Sequence, residues 1–327
     1  MRSLDSAPPS KRVPFPEMSQ PVRVAIVQFA PAYLDLELSM ARVAELTRDA
    51  ARAGASLVVF GETWLPGYPA WLDHCGEVTL WNNDAAKSVF ARLRRNSILV
   101  PGPETARIAA IAVEHRITIV IGAHERVASG PGNGTLYNTL LLFTPDGRLA
   151  QHHRKLVPTY TERLVWGSGD AAGLQAVDTG TARVGGLICW EHWMPLARHA
   201  MHVSGEQIHV AVWPTANELH QLASRHYAIE GRCFVVAAGS IMRVSDLPAD
   251  FARPAHLTAD DALILRGGSA VIAPDGSYVV GPVFDDETLV IADLDLELID
   301  RELMTLDVTG HYHRPDLFEV LIKKERR

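Results

Sequence analysis

Apolar runs of strand length alternate with amphipathic stretches of helix length along most of the chain, and this alternation restricts the fold to a layered α/β class. Val22–Phe29 reads Val-Arg-Val-Ala-Ile-Val-Gln-Phe, a strand. Leu36–Ala53 sets Leu38, Val43 and Leu46 among charged residues, the pattern of an amphipathic helix, and Gly54 follows as its terminator. Ser56–Phe60 is the next strand, so residues 22–60 form one β-α-β unit, which is right-handed and parallel. Helices are then expected over Asn83–Arg94, Pro103–His115, Met194–Val203 and Gln221–Gly231. Strands are expected over Ile117–Gly122, Leu136–Phe143, Leu149–Arg154, Arg183–Ile188, Ile208–Trp213, Phe234–Ala238, Ser269–Ala273 and Thr288–Asp293. Pro145-Asp146-Gly147 and Pro274-Asp275-Gly276 are hairpin turns. Ile208–Trp213 is apolar on both faces, as a strand covered on both sides must be.

With 327 residues, 47% of them apolar, the chain can bury roughly three quarters of its unfolded surface. No linker divides it after residue 22, no repeat recurs, and one layered domain over residues 22–320 is the simplest account. Residues 1–21 carry five prolines and no apolar core, and read as a disordered N-terminal tail rather than a secretory signal; residues 321–327 read as a C-terminal tail. The balance of 31 basic and 38 acidic residues gives −7, which argues against nucleic-acid partners and against anionic membrane surfaces. No apolar run approaches the ~18 residues of a membrane span. Three cysteines, an odd count, make a disulfide framework a poor reading and the cytoplasm the expected compartment.

Chemistry concentrates at strand ends. Cys189 follows the apolar run Val-Gly-Gly-Leu-Ile and precedes a helix start, the sharp turn that exposes a nucleophile at the edge of a sheet. The competing reading is a small buried core residue, and that reading fits Cys233 at the head of its strand, while Cys75 is a loop residue. A free thiol is only a few per cent ionised at neutral pH, so a nucleophilic cysteine needs a base or a cation beside it. Glu62 follows the strand Leu-Val-Val-Phe-Gly and Lys155 follows Leu149–Arg154, and such positions converge on one crevice. Taken alone, each also fits a cap or a solvated surface charge.

Three ordered segments carry a resemblance. Gly61-Glu62-Thr63-Trp64-Leu65-Pro66-Gly67-Tyr68-Pro69, then His153-Arg154-Lys155-Leu156-Val157-Pro158-Thr159 with Glu162-Arg163 and Gly167-Ser168-Gly169-Asp170, then Cys189-Trp190-Glu191-His192, resemble the Glu, Lys and Cys motifs of the nitrilase superfamily. The closing segment Asp307-Val308-Thr309-Gly310-His311-Tyr312-His313-Arg314-Pro315-Asp316 is similar to the true nitrilase branch. The resemblance spans roughly residues 22–320. It implies an α-β-β-α sandwich, and subunits paired back to back as a homodimer that extends into larger homo-oligomers or spirals. It implies Glu62 as general base, Lys155 as the cation that stabilises charge on the substrate nitrogen, Cys189 as nucleophile and Glu162 as a second glutamate held near them. The implied reaction is hydrolysis of an organic nitrile to a carboxylic acid and ammonia through a thioimidate and a thioester.

Substrate contacts are expected from Tyr68, Trp166, Trp190, His192, Trp193 and Pro214, where several aromatics near one crevice would suit an apolar substituent. For each aromatic the alternative is ordinary packing, Trp190 is expected to be mainly structural, and His192 also reads as a satisfied structural histidine. Fourteen histidines invite a metal reading, with His152-His153 and His311-Tyr312-His313 densest, but HExxH and CxxC spacings are missing and no metal is expected. No cofactor is expected either, since the cysteine itself supplies covalent catalysis. Gly130-Pro131-Gly132-Asn133-Gly134 lacks the lysine of a phosphate loop and reads as a turn. Rival readings are an amidase or carbamoylase of the same superfamily, a cyanide-degrading enzyme, and an inactive assembly protein that kept the fold.

Overall fold

The computed structural model describes residues 21–74, 77–247, 257 and 259–326. Of the expected tail over residues 1–21, residues 1–20 lie outside the described residues, as do Cys75 and Arg327. The chain first lays down β1 (Val22–Gln28), α1 (Leu36–Arg52) and β2 (Leu57–Phe60), with β1 and β2 parallel as the β-α-β reading requires. After the short α2 (Trp71–His74), α3 (Asp84–Arg95) and α4 (Pro103–His115) come β3 (Thr118–Arg126), β4 (Leu136–Phe143) and β5 (Leu149–Arg154). The second half builds another sheet from β6 (Val177–Asp178), β7 (Arg183–Ile188), β8 (Ile208–Trp213), β9 (Phe234–Gly239), β10 (Ile241–Arg243), β11 (Leu263–Ile272) and β12 (Tyr278–Phe284). Its helices are α5 (Pro195–Val203) and α6 (Glu218–Gly231). The last strand, β13 (Thr288–Leu294), crosses back to the first sheet, and α7 (Glu297–Leu303) follows it. The strand orders are β13-β1-β2-β3-β4-β5 and β10-β11-β9-β8-β7-β6, with β12 on the free side of β11.

Alternate residues of β1 show why the two sheets stack. Val22, Val24 and Ile26 enter a core shared with Val184, Leu187, Val210 and Val236 of the second sheet. Ala25 and Val27 point the other way, into a core with Met40, Val43 and Ala50 of α1 and Ile108 and Ala112 of α4. A strand with both faces covered has no polar side to offer, hence the apolar stretch Val24–Val27 at its centre. On the far side, α6 packs Ala223, Tyr227 and Ala228 onto the second sheet. The architecture is the α-β-β-α sandwich.

Departures from the sequence reading have local causes. Leu38 is exposed, and Leu36, Met40, Val43 and Ala50 take the buried face of α1. Helix α6 begins at Glu218 because the Asn217 side chain accepts the Leu219 N–H, an N-cap that starts the helix before its apolar pattern does. The strand β12 carries Gly281 and Pro282, which read as breakers; it is an edge strand, where proline is tolerated.

Candidate functional site

The topology fixes where strand ends meet. Because β2 and β3 are parallel and the β3-β4-β5 meander is antiparallel, β2 and β5 leave the first sheet at the same end. Glu62 and Lys155 therefore emerge at the same end, where their side chains meet. The carboxyl end of β7, where Cys189 sits, faces them from the second sheet. Gly122 of β3 makes the Glu62 segment fit. A Cβ there would lie 2.4 Å from the Gly61 carbonyl oxygen and 2.4 Å from the Thr63 nitrogen.

Lys155 is 1% exposed and its ammonium sits between two carboxylates. Its Nζ donates to Glu62 Oε1 at 3.0 Å and to Glu162 Oε2 at 2.7 Å. Asn138 Nδ2 donates to the same Glu62 oxygen at 2.7 Å, and the Lys155 N–H donates to the Asn138 carbonyl. Glu162 is held further by the Tyr68 hydroxyl at 2.9 Å and the Thr159 N–H at 2.7 Å. Donor atoms of Glu62, Glu162 and Cys189 all lie within 4.8 Å of one another. Such a trio has the spacing of a metal site, yet the lysine ammonium already occupies the place between the carboxylates. Glu62 Oε2 is buried and has no hydrogen-bond partner among the described residues, so one basic lone pair stays free.

Cys189 adopts φ +54°, the left-handed conformation that a non-glycine residue holds only when its surroundings enforce it. Glu191 does much of the enforcing. Its carboxylate accepts the Ile188 N–H at 2.7 Å, the Leu156 N–H at 2.7 Å and His153 Nε2 at 2.9 Å. The short 3-10 turn Cys189–Trp193 is thereby tied to both neighbouring strand ends.

Electrostatics place the protons. Burial pushes the Glu62 carboxyl up to about 7, with Glu162 adding to the rise and Lys155 and Asn138 opposing it. Burial likewise pushes the Cys189 thiol up, and the nearby carboxylates add to it, while Lys155 and the Trp190 N–H work the other way. Burial alone would lower Lys155, but Cys189, Glu62 and Glu162 together raise it, so it stays an ammonium. At rest the site holds a neutral thiol, a carboxyl poised near neutrality and a fixed cation.

A cleft of about 280 Å³ opens onto this cluster, lined by Tyr68, Tyr160, Cys189, Trp190, Pro214 and Leu265 among others. Of the expected contacts, Tyr68, Trp190 and Pro214 line it. Trp190, expected to be mainly structural, is 45% exposed there. Trp166 is buried behind Tyr68, its ring 5.7 Å from Lys155 Nζ and its indole N–H donated to His124 Nδ1 at 3.0 Å. Trp193 packs on Trp190 outside the cleft, and His192 is buried and points away from it. The sequence reading passed over Asn138, whose signal was a lone amide inside the apolar strand Leu136–Phe143. Of the dense histidines, His152 and His153 pair with Glu125 and Glu191, while His311 lies by Asp307 and His313 stacks on His199.

The family model described as "Carbon-nitrogen hydrolase" matches residues 23–301. An aliphatic nitrilase from Sinorhizobium fredii is 41% identical over 309 residues, covering 93% of this chain and 96% of that one. A bifunctional nitrilase/nitrile hydratase from Lupinus angustifolius is 36% identical over 307 residues, covering 92% and 86%. Among solved structures, a nitrilase-superfamily member from Saccharomyces cerevisiae superposes with a TM-score of 0.68 at 20% identity, over 91% of this chain and 98% of that one.

Proposed function

The chain belongs to the carbon-nitrogen hydrolase family, in its nitrilase branch, and we propose that Cys189, Glu62, Lys155 and Glu162 are the groups with which it hydrolyses an organic nitrile. The observation that carries this reading is the buried cluster itself, a thiol and two carboxylates within 4.8 Å of one another around a lysine ammonium. Glu62 takes the thiol proton on its free oxygen as sulfur attacks the nitrile carbon. Negative charge builds on the nitrile nitrogen, next to the Lys155 ammonium and the Trp190 N–H, and donors fixed in advance can contribute several kcal/mol there. Protonation of that nitrogen gives a thioimidate. Water, deprotonated by Glu62, adds to its carbon, the C–N bond breaks and ammonia leaves a thioester. A second water breaks the C–S bond, releasing the carboxylic acid and restoring the thiol. The sum is one nitrile and two waters to one acid and one ammonia, and a positioned base typically contributes about 10²–10⁴ in rate. Glu162 holds the lysine in place through its 2.7 Å bond.

Tyr68, Trp190 and Pro214 form the walls against the substituent of a small nitrile, with Trp166 supporting Tyr68 from behind. The assembly is a homo-oligomer. Leu196 and Val203 of α5 and Leu219 and Leu222 of α6 are exposed on the outer helical layer, a surface that a second copy would cover. The odd cysteine count and the free thiols of Cys189 and Cys233 suit the cytoplasm. No helix among the described residues is long and apolar enough to cross a membrane.

The test is ammonia release from paired nitriles and amides, with acid and amide products measured separately and Cys189→Ala as control. Ammonia with acid from nitriles, lost in the variant, is expected. Ammonia from amides alone would move the protein to the amidase reading, and from cyanide alone to the cyanide-degrading one.

A further inference from the structure

Behind the nucleophile turn runs a buried chain of histidines and acids that the reaction scheme above does not use. His192 Nδ1 lies 2.6 Å from the Cys189 carbonyl oxygen. His192 Nε2 lies 2.9 Å from His209 Nε2, and His209 Nδ1 lies 2.8 Å from Glu206 Oε2. The other Glu206 oxygen receives the Tyr227 hydroxyl and His202 Nδ1, and His202 Nε2 reaches Glu230, which also holds Arg198. The Arg198 guanidinium in turn donates to the His192 carbonyl at 3.0 Å. His209 stacks on Tyr227 with ring centroids 3.7 Å apart, and His192 lies against Trp213, which stacks on His220.

Counting protons along this chain decides its charge. A carbonyl oxygen carries no proton, so His192 Nδ1 must be N–H. Glu206 is a carboxylate whose Oε1 accepts from Tyr227 and His202, and its Oε2 can likewise only accept, so His209 Nδ1 must be N–H as well. The contact between the two Nε2 atoms needs a third proton, and two neutral imidazoles supply only one N–H each. From this count we infer that the His192–His209 pair rests with one extra proton, an imidazolium at His209 anchored on Glu206, and that its charge acts on the nucleophile through neutral His192. Burial disfavours charge on His192, which lies well below the usual histidine range. Burial also disfavours the Glu206 carboxylate, but His209 and His202 outweigh it and hold Glu206 at about 2.

The target of the chain is one peptide unit. The Cys189 carbonyl that receives the His192 N–H belongs to the same peptide as the Trp190 N–H, the group beside the Cys189 sulfur. A donor pulling on the carbonyl polarises the N–H at its other end, and hydrogen bonds in series strengthen one another. His209, His192 and Glu206 are thus positioning residues. They fix the left-handed turn at Cys189 and sharpen the donor that faces its thiolate.

This assignment rests on Cys189 being the nucleophile but not on the substrate. The full-length protein labelled with nitrogen-15 histidine would be compared by NMR, near neutral pH, with its His209→Gln variant. In the same samples, alkylation of the Cys189 peptide by iodoacetamide would be timed by mass spectrometry. Expected are two imidazolium signals, one from His202, whose ring nitrogens both face carboxylates, and one that disappears with His209, a neutral Nδ1–H tautomer at His192, and alkylation slowed about tenfold, short of the roughly 10²–10³ that outright loss of an anion-stabilising donor costs. A neutral His209 in the native protein overturns the inference, and so does native-rate alkylation in a folded variant. Should the variant not fold, the native spectrum alone decides. Neither readout uses a nitrile, so a protein acting only on amides would leave the inference standing, and nitrile turnover with a neutral pair would sink the inference alone.

Discussion

Glu62 and Cys189 share one proton problem. A thiol held neutral by burial cannot attack until a base takes its proton, and the base beside it is itself raised to about 7. A base works only when ionised, so kcat/KM should climb as pH rises through about 7 and level off above it, with Glu62 setting the acid limb. A pH–rate profile on a nitrile checks this; a limb ending near 4.5 would remove Glu62 from the role. Glu62→Gln keeps the Asn138 and Lys155 contacts in shape but cannot accept the thiol proton, and should lower kcat by about 10²–10⁴ at every pH. The sign for stability is opposite. A carboxyl with a native pKa above its unfolded value favours folding most when protonated, so its contribution is full below about 4.5 and is lost as pH rises through about 7. Activity is therefore gained over the same range in which this residue destabilises the fold.

At the scale of elements, the site depends on three strand ends and on one close approach. Gly122 lies under the segment that presents Glu62, and an alanine Cβ there would meet backbone on two sides. Backbone cannot swing aside as a side chain does, so Gly122→Ala should shift Glu62 and lower kcat by about 10²-fold, the usual cost of a displacement near 1 Å. Circular dichroism should show the sheets retained, and a native kcat would show that the segment moves freely. The strands and the turn at Cys189 were legible in the sequence because periodicity and breakers are local signals. Val22–Phe29, Arg183–Ile188 and Ile208–Trp213 match their strands to within a residue. Asn138 and the His192–His209–Glu206 chain were not legible. Asn138 meets Glu62 across 76 positions, and His209 meets His192 across 17 and two elements, so nothing in either local pattern marks the partner. Trp190, read both as a substrate contact and as a structural aromatic, could not be assigned from sequence for a related reason. Whether an aromatic beside a nucleophile lines a cleft or fills a core depends on the facing sheet, and here the facing side is open.

Across the whole molecule, the two sheets are separate units of secondary structure, and their relative placement decides whether Cys189 meets Glu62 and Lys155 at all. Apolar packing between sheets is non-directional and would tolerate small slides. A directional link at the site is Glu191, which belongs to the second sheet's nucleophile turn yet binds His153 and the Leu156 N–H from the first. Burial works against this carboxylate, but His153 and the two backbone N–H groups outweigh it and lower its pKa below the usual range. Its stabilising contribution is then present above about pH 4.5 and is lost as pH falls. Glu191→Ala leaves His153 and two N–H groups buried without their acceptor, and breaking a buried pair by removing one partner costs about 3–5 kcal/mol. Denaturant unfolding should show that loss. The kinetic consequence separates this residue from Glu62. Glu191 exchanges no proton with substrate, so whatever folded Glu191→Ala remains should have a lowered kcat but an acid limb still near 7. A limb that moved with the substitution would mean that Glu191 acts on the proton inventory of the cluster and not on the distance between the two sheets.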